Sequence, residues 1–203
     1  MSHAWSAAQV LTGGMDKTAI VFNRGEGQLV DTLKGHSKKV TGVSFHPTEE
    51  VCFTASADRT ARIWAAEGEG YLTRHVLNCH NKDVSGLSLH PTGDLLATLS
   101  LDGTTAVHSV QTGQLLVQTS HPNSKAGFTC GMFHPDGLLL GAGTEDNQIH
   151  VWDFKSQGWP ASFSGHTGRV HKISFSENGC VLWRLPAHFQ PVGPGAERVR
   201  GTR

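Results

Sequence analysis

The sequence predicts an all-β fold made of repeated units of four short strands, and two observations indicate it. First, two types of landmark recur along the chain with a period of 42 to 44 residues. They are the His-Pro pairs at His46, His90 and His134 and the turn aspartates Asp16, Asp58, Asp102 and Asp146. Second, glycine is abundant, at 24 of 203 residues, and long runs of helix-forming residues are absent, which favours short strands joined by tight turns.

The most complete unit, residues 35–65, reads GHSKKVTGVSFHPTEEVCFTASADRTARIWA. Its first strand carries apolar residues at Val40, Val43 and Phe45, the turn PTEE follows, and VCFTAS forms the second strand. A turn with Asp58 leads to the third strand, TARIWA, and the weaker run TRHVLN forms an outer fourth strand. A Gly-His pair at the start and a Trp after the turn aspartate, at this period, are typical of one blade of a WD-repeat β-propeller.

Three complete units lie between two partial ones, so the predicted propeller is incomplete. The first unit begins at its second strand, in LTGGMDKTAIVFN, and lacks its inner strand. The last unit begins with FSGHTGRVHKISFSENG, and its expected turn and closing strand are missing. We therefore predict a non-repeat N-terminus over residues 1–10, a WD-repeat propeller over residues 11–183 and a divergent tail over residues 184–203. Three prolines and four arginines predict that this tail is disordered.

Composition argues against several classes of function. Lys and Arg number 17, as do Asp and Glu, so net charge gives no reason to expect direct nucleic-acid binding or an acidic membrane. No stretch approaches the roughly 20 apolar residues that cross a bilayer, and the N-terminus does not resemble a signal peptide. The four cysteines lie far apart, which predicts reduced thiols. Neither metal-ligand nor nucleotide-binding spacing occurs, so we expect no metal and no cofactor.

The residue types of a hydrolase triad occur together in His36, Ser56 and Asp58. Because the same types recur in the next unit and an enzyme needs one assembled site, we interpret them as structural and expect no catalytic residue. We predict a hydrogen bond from each loop histidine to the turn aspartate, extended through Ser or Thr to a Trp indole N–H. In the fourth unit Ser120-His121 fills the histidine slot. The predicted blade network comprises His36, Ser56, Asp58, Trp64, His80, Ser100, Asp102, Thr144, Asp146, Trp152 and His166.

Loop residues that differ between the repeats are better candidates for partner binding, because propeller blades share a skeleton and specificity lies in the loops. After the Gly-His slots, basic residues stand at Lys38, Lys39, Lys82 and Arg169. We expect these loops to lie together on one rim near the central channel. The four side chains would then form a modest basic patch for an acidic or phosphorylated protein partner. The alternative is that they are solvated loop residues without a partner.

Four runs of this sequence resemble the WD-repeat region of the pre-mRNA-processing factor 19 family. They are TLKGHSKKVTGVSFHP, GLSLHPTGD, FHPDGLLLGAGTEDNQIHVWDFK and SGHTGRVHKISFSENG, and the resemblance covers about residues 10–179. The resemblance implies a nuclear ubiquitin ligase with an N-terminal U-box, a coiled coil for tetramerisation and a seven-bladed propeller that recruits partners. It also implies a part in spliceosome activation and the DNA damage response.

The sequence shows neither a U-box nor a heptad segment, so we expect no ubiquitin transfer and no tetramer from these residues alone. It holds about three full blades and two partial blades of the seven-bladed ring that the resemblance implies. The expected partners are spliceosomal complex subunits and ubiquitylation substrates, and the expected location is the nucleus. The alternative is a generic WD-repeat scaffold without a ligase connection, such as a truncated product.

Overall fold

The computed structural model describes residues 9–68 and 70–176, together with the backbone of residues 182–185. Within these residues all regular secondary structure is β-strand, as the sequence predicts, and no helix is long and apolar enough to cross a membrane. The strands are β1 Gln9–Gly13, β2 Thr18–Asn23, β3 Leu29–Lys34, β4 Val40–Phe45, β5 Val51–Ser56, β6 Ala61–Glu67, β7 Gly70–Leu77, β8 Val84–Leu89, β9 Leu95–Ser100, β10 Thr104–Ser109, β11 Leu115–Ser120, β12 Phe128–Phe133, β13 Leu139–Thr144, β14 Ile149–Asp153, β15 Gly158–Phe163, β16 Lys172–Phe175 and β17 Leu182–Leu185.

The described strands form five antiparallel sheets in chain order. The second, third and fourth sheets are the complete blades: β4 to β7, β8 to β11 and β12 to β15 each pair in sequence order. The first sheet holds β1, β2 and β3 and lacks an inner strand among the described residues, as predicted. Its β1 begins at Gln9, two residues before the predicted start of the repeat region.

The fifth sheet differs from the prediction. The sequence indicates that this unit stops after its first strand, but β17 pairs with β16 along its whole length, from Lys172 opposite Leu185 to Phe175 opposite Leu182. The strand therefore extends two residues into the segment predicted as a tail from residue 184. The rest of that segment, residues 186–203, lies outside the described residues.

The apolar core lies between successive sheets rather than within one. Phe53 and Ile63 of the second sheet share a buried cluster with Leu96 of the third. Trp152 of the fourth sheet is likewise buried in one cluster with Val107 of the third. Each blade alone would leave these side chains in water, so stacking of neighbours supplies the burial that a single blade cannot.

The inner strands β4, β8, β12 and β16 follow one another at the centre and are joined by repeated hydrogen bonds. The second residue of each of β4, β8 and β12 carries a hydroxyl that donates to a backbone carbonyl of the next unit. The bonds run from Thr41 to Val84 over 2.5 Å, from Ser85 to Phe128 over 2.5 Å and from Thr129 to Val170. These bonds link the second, third, fourth and fifth units in turn.

The histidines of the His-Pro pairs also lie between blades. The ring of His90 reaches the turn of the next unit, where Nε2 lies 3.1 Å from the carbonyl oxygen of Gly137. Gly137 has φ +76°, and a Cβ atom there would lie 2.2 Å from Nε2 of His90. Gly93 stands in the same relation to His46. Both the left-handed backbone and the close ring require glycine at this turn.

Candidate functional site

In the second sheet, a chain of hydrogen bonds connects the Gly-His loop to the closing tryptophan. The indole N–H of Trp64 donates to Oγ1 of Thr54 over 2.9 Å, and this hydroxyl lies 2.7 Å from Nε2 of His36. Nδ1 of His36 lies 2.9 Å from Oδ2 of Asp58. Because the ionised carboxylate of Asp58 can only accept, Nδ1–H of His36 donates to it, and the unprotonated Nε2 of the neutral ring accepts from the hydroxyl of Thr54.

The protonation states of the pair fit these directions. Burial lowers the pKa of His36, although Asp58 acts in the opposite sense, so the imidazole stays neutral near pH 7. Burial alone would raise the pKa of Asp58, but hydrogen bonds from Thr60, Ser37 and His36 outweigh it and lower this pKa to about 2. A neutral histidine therefore donates to an ionised carboxylate whose side chain is only 6% exposed.

Ser56 does not take the place in the network that the sequence suggests. Its hydroxyl lies 2.9 Å from the carbonyl oxygen of Lys39 and 3.1 Å from that of Lys38, and it accepts from the backbone N–H of Asp58. The link between histidine and tryptophan is Thr54 instead. Both ring nitrogens of His36 are occupied by groups other than Ser56, so no histidine activates a serine here, and a hydrolase triad is not assembled.

The third sheet keeps the hydrogen bonds of the loop histidine, but it lacks the closing tryptophan. Nε2 of His80 lies 2.8 Å from Oγ1 of Thr98, and its Nδ1 lies 2.9 Å from Oγ1 of Thr104 and 3.5 Å from Asp102. His108 stands where Trp64 stands in the preceding blade. Ser100 ties the loop to the turn, with its hydroxyl 3.2 Å from the carbonyl oxygen of Lys82.

His108 is 2% exposed, and among the described atoms its Nδ1 has no hydrogen-bond partner. Burial is the main cause that lowers the pKa of His108 to about 4, with a smaller contribution from the neighbouring His80. The imidazole is therefore neutral at pH 7. An unpaired polar nitrogen in the core lowers the stability of the fold. A Trp at this position would avoid that loss, because its indole N–H could donate to Thr98.

The fourth sheet corrects the assignment of the histidine slot. Ser124 occupies it, because its hydroxyl donates to Oδ2 of Asp146 over 3.2 Å, and Thr144 donates to the other oxygen of Asp146. His121, which the sequence places in this slot, stacks instead on the buried ring of His150 with 3.9 Å between centroids. The repeat period supports the correction, since position 124 follows His36 and His80 by steps of 44 residues.

Trp152 closes the fourth sheet without joining a polar chain. Its side chain is buried, and its indole nitrogen has no hydrogen-bond partner within the described part of the protein. The reason is Ala142, which stands where Thr54 and Thr98 supply a hydroxyl in the preceding sheets. The remaining predicted member, His166, is half-buried in the loop before β16, and the equivalent of its turn aspartate would fall at His188, outside the described residues.

The loops of the second and third sheets enclose a cleft of about 430 Å³, here called the rim cleft. Its lining residues are Ser37, Lys38, Asp58, Arg59, Asn81, Lys82, Asp83 and Leu101. Two of the four basic residues proposed from the sequence, Lys38 and Lys82, thus meet across one blade junction. Lys39 is exposed beside the cleft but does not line it. Arg169 lies elsewhere on the rim, where its guanidinium forms an exposed ion pair with Glu145 over 3.7 Å.

Sequence reasoning missed Arg59. It follows the turn aspartate and has φ +75°, as Lys17 after Asp16 has φ +73°. The equivalent positions in the third and fourth sheets are Gly103 and Asn147, which also have positive φ. A long basic side chain at a position that favours Gly or Asn was the available signal, because such a residue is uncommon there.

Three cations therefore line the rim cleft, on loops from two blades. Lys38, Arg59 and Lys82 are exposed, and within the described residues no carboxylate lies close enough to form an ion pair with any of them. The carboxylate of Asp58 is already engaged by its own turn and loop. The described residues contain no group of three or more His, Cys, Asp or Glu side chains that could hold a metal ion. The cleft is thus suited to an anion.

Comparison with known proteins agrees with this architecture. A family model described as "WD domain, G-beta repeat" matches residues 27–65, and one described as "Anaphase-promoting complex subunit 4 WD40 domain" matches residues 87–178. Both descriptions are of WD40 repeats, and the chain has the fold of an incomplete WD-repeat β-propeller. The landmarks that recur in its sequence are thus the WD-repeat signature, and the sheets β4 to β7, β8 to β11 and β12 to β15 are WD-repeat blades.

Curated relatives of this WD-repeat chain include pre-mRNA-processing factor 19 proteins. The chain is 46% identical over 174 residues to "Pre-mRNA-processing factor 19 homolog 2" of Arabidopsis thaliana, which covers 85% of this chain and 33% of that protein. It is 48% identical over 167 residues to the Homo sapiens protein, covering 82% of this chain and 33% of the relative. The chain thus spans about a third of the length of these relatives, and the resemblance found in the sequence is confirmed.

Proposed function

We propose that this WD-repeat protein is a protein-interaction module of pre-mRNA splicing that acts in the nucleus. The observation that carries the proposal is the 46–48% identity to pre-mRNA-processing factor 19 proteins over 82–85% of the chain. The geometry supports a binding role rather than catalysis. The His, Thr and Asp side chains that resemble catalytic groups are used within the second and third blades, which leaves the rim loops for contact with partners.

The resemblance also implies a ubiquitin ligase, and we propose that this module serves it. The module would recruit spliceosomal complex subunits and ubiquitylation substrates to a U-box ubiquitin ligase, and would take part in the DNA damage response. Ubiquitin transfer itself would belong to a U-box, since the His, Thr and Asp side chains of the second and third blades are bonded to one another. We expect the purified chain to transfer no ubiquitin when supplied with the activating and conjugating enzymes.

Splicing of a reporter pre-mRNA in nuclear extract tests the proposal. Added in excess, the purified chain should occupy the partners of the endogenous splicing factor and lower the yield of spliced product in proportion to its concentration. A WD-repeat propeller of similar size without a splicing role is the matched control. Unchanged splicing, together with no spliceosomal subunit retained on the immobilised chain, would reject the proposal and favour the generic scaffold.

A further inference from the structure

We propose that the rim cleft binds the phosphoryl group of a phosphorylated serine or threonine in a partner protein. The inference deepens the protein-interaction role proposed above and rests on it. In this proposal, the junction between the blades β4–β7 and β8–β11 recognises a single modified side chain. Three observations support it: the charge of the cleft, the way its loops are held, and the contrast with the next junction.

The charge of the cleft matches a phosphoryl group better than a carboxylate. Lys38, Arg59 and Lys82 bring three positive charges. The negative side chains of the lining are Asp58, which accepts hydrogen bonds from its own blade, and Asp83. A phosphorylated side chain carries −1.5 to −2 charges near pH 7 and three acceptor oxygens, whereas Glu or Asp carries one charge. The dianion therefore offsets more of the mutual repulsion among these three cations than a single carboxylate does.

The loops that carry these cations are fixed at their backbones. Ser56 binds the carbonyl oxygens of Lys38 and Lys39. Ser100 binds the carbonyl oxygen of Lys82 in the same way. Because the backbone is held in place while the charged ends stay free, binding orders only the side chains. This lowers the conformational cost of capturing a phosphoryl group.

The next junction, between the third and fourth sheets, lacks this chemistry. There Lys82 takes the position of Lys38 and Lys125 that of Asn81, but Gly103 replaces Arg59 and Ala126 replaces Lys82, so two cations stand where the rim cleft has three. Gly127 replaces Asp83 and removes one negative charge. Glu145 stands at the position of Leu101 and adds a negative charge. The fold is the same at both junctions, so blade architecture does not explain the three cations of the rim cleft. Of the two junctions that join complete blades, only this one carries the three cations.

The lining favours a peptide over single-stranded RNA. Proteins that bind single strands combine basic residues with aromatic side chains on which bases stack. None of the side chains that line the rim cleft is aromatic. A volume of about 430 Å³ accommodates one modified side chain and its flanking backbone rather than a track of nucleotides.

The test measures binding of the full chain to fluorescent peptide libraries of random sequence with phosphoserine or phosphothreonine at the centre. Matched libraries carry Ser or Thr, or Glu, at that position. We expect at least tenfold tighter binding of the phosphorylated libraries than of either control. Arg59→Glu and Lys82→Glu should each weaken that binding at least fivefold. Lys155→Glu, the same charge reversal at an exposed turn between β14 and β15, should change it less than twofold.

Several outcomes would overturn the inference. They are equal binding of the Glu library, no binding of the phosphorylated library, full binding by both cleft variants, or a preference for oligouridine RNA over phosphopeptides. Melting temperatures of the variants within about 2 °C of the wild type would show that they fold. The splicing assay separates the two proposals. Inhibition by wild type and cleft variants alike keeps the interaction role and rejects the cleft. Phosphopeptide binding without inhibition, and with no spliceosomal subunit retained on the immobilised chain, rejects the splicing role and keeps the cleft.

Discussion

Asp58 accepts four hydrogen bonds with its two carboxylate oxygens. Oδ2 accepts from His36 and the backbone N–H of Ser37, and Oδ1 accepts from the N–H and hydroxyl of Thr60. Asp58→Asn replaces one acceptor oxygen with a donor that faces other donors. We expect a loss of about 1.5–3 kcal/mol in the free energy of unfolding, measured by chemical denaturation at pH 7.

The matched control is Asp94→Asn, which makes the same change at an exposed turn position and should alter stability by less than about 0.5 kcal/mol. Equal stability of Asp58→Asn and the wild type would contradict the structural role of the network. Binding of partners at saturating concentration should survive the substitution, since the carboxylate is used within the blade.

His108 is a second buried residue that affects the stability of its blade. His108→Leu replaces a buried imidazole with an apolar side chain of similar volume and removes the unpaired Nδ1. Because the pKa falls from about 6.5 to about 4 in the folded protein, the gain should grow on acidification, to on the order of 2 kcal/mol at pH 5. Denaturation curves of both proteins at pH 7.5 and pH 5 measure it. A gain that is equal at the two pH values would contradict the account.

The residue scale also shows what the sequence could reveal. The loop histidines and turn aspartates were recognised because they recur at fixed positions. Thr54 was missed because a threonine inside the buried run VCFTAS looks like any β-branched strand residue. Ser124 was missed because Ser120-His121 offered a histidine nearby, although the period of 44 residues points to 124. Pairing Lys38 with Lys82 depends on blade stacking, which a linear pattern does not specify.

At the scale of the element, inner strands are joined by hydroxyl groups. Thr41 on β4 donates to the carbonyl of Val84 on β8 over 2.5 Å. Thr41→Val keeps the shape and removes the donor, leaving that carbonyl without this bond. We expect a loss of about 1 kcal/mol, which corresponds to about 2–4 °C in melting temperature for a domain of this size.

Thr73→Val on the outer strand β7 is the control, because Thr73 is exposed and the change there removes no contact between blades. Melting followed by circular dichroism compares the two variants with the wild type. If Thr41→Val melts no lower than Thr73→Val, the inner-strand hydroxyls do not contribute to the joining of blades.

The elements that the sequence predicted best are the strands with a strong repeat. The weak outer runs were also placed correctly, because the ends of TRHVLN, QLLVQT and WPASFS fall within three residues of the ends of β7, β11 and β15. The error lay at the fifth unit, where β17 was not recognised. Its residues Leu182–Leu185 lack the turn aspartate that marks the other units, and pairing with β16 is a long-range contact that local pattern does not record.

At the scale of the whole molecule, several blades bury histidines in a neutral state. Burial lowers the pKa of His36, His80, His108 and His150 in the folded protein, partly opposed by Asp58, Asp102 and Asp146. The unfolded chain titrates these residues near 6.5 and therefore binds more protons below that pH. The stability that the neutral histidines contribute is therefore fully present above about pH 6.5, and it is lost as the pH falls through their lowered pKa values in the folded protein.

We therefore expect the melting temperature to fall by more than about 4 °C between pH 7.5 and pH 5, since His108 alone supplies on the order of 2 kcal/mol. Asp58 adds a second loss between about pH 4 and pH 2, because its pKa in the folded protein is about 2. Scanning calorimetry across this range measures both. His171→Gln, at an exposed position, should leave the first loss unchanged, whereas His108→Leu should reduce it. A melting temperature that is constant from pH 7.5 to pH 5 would mean that these histidines are not held neutral by the blades.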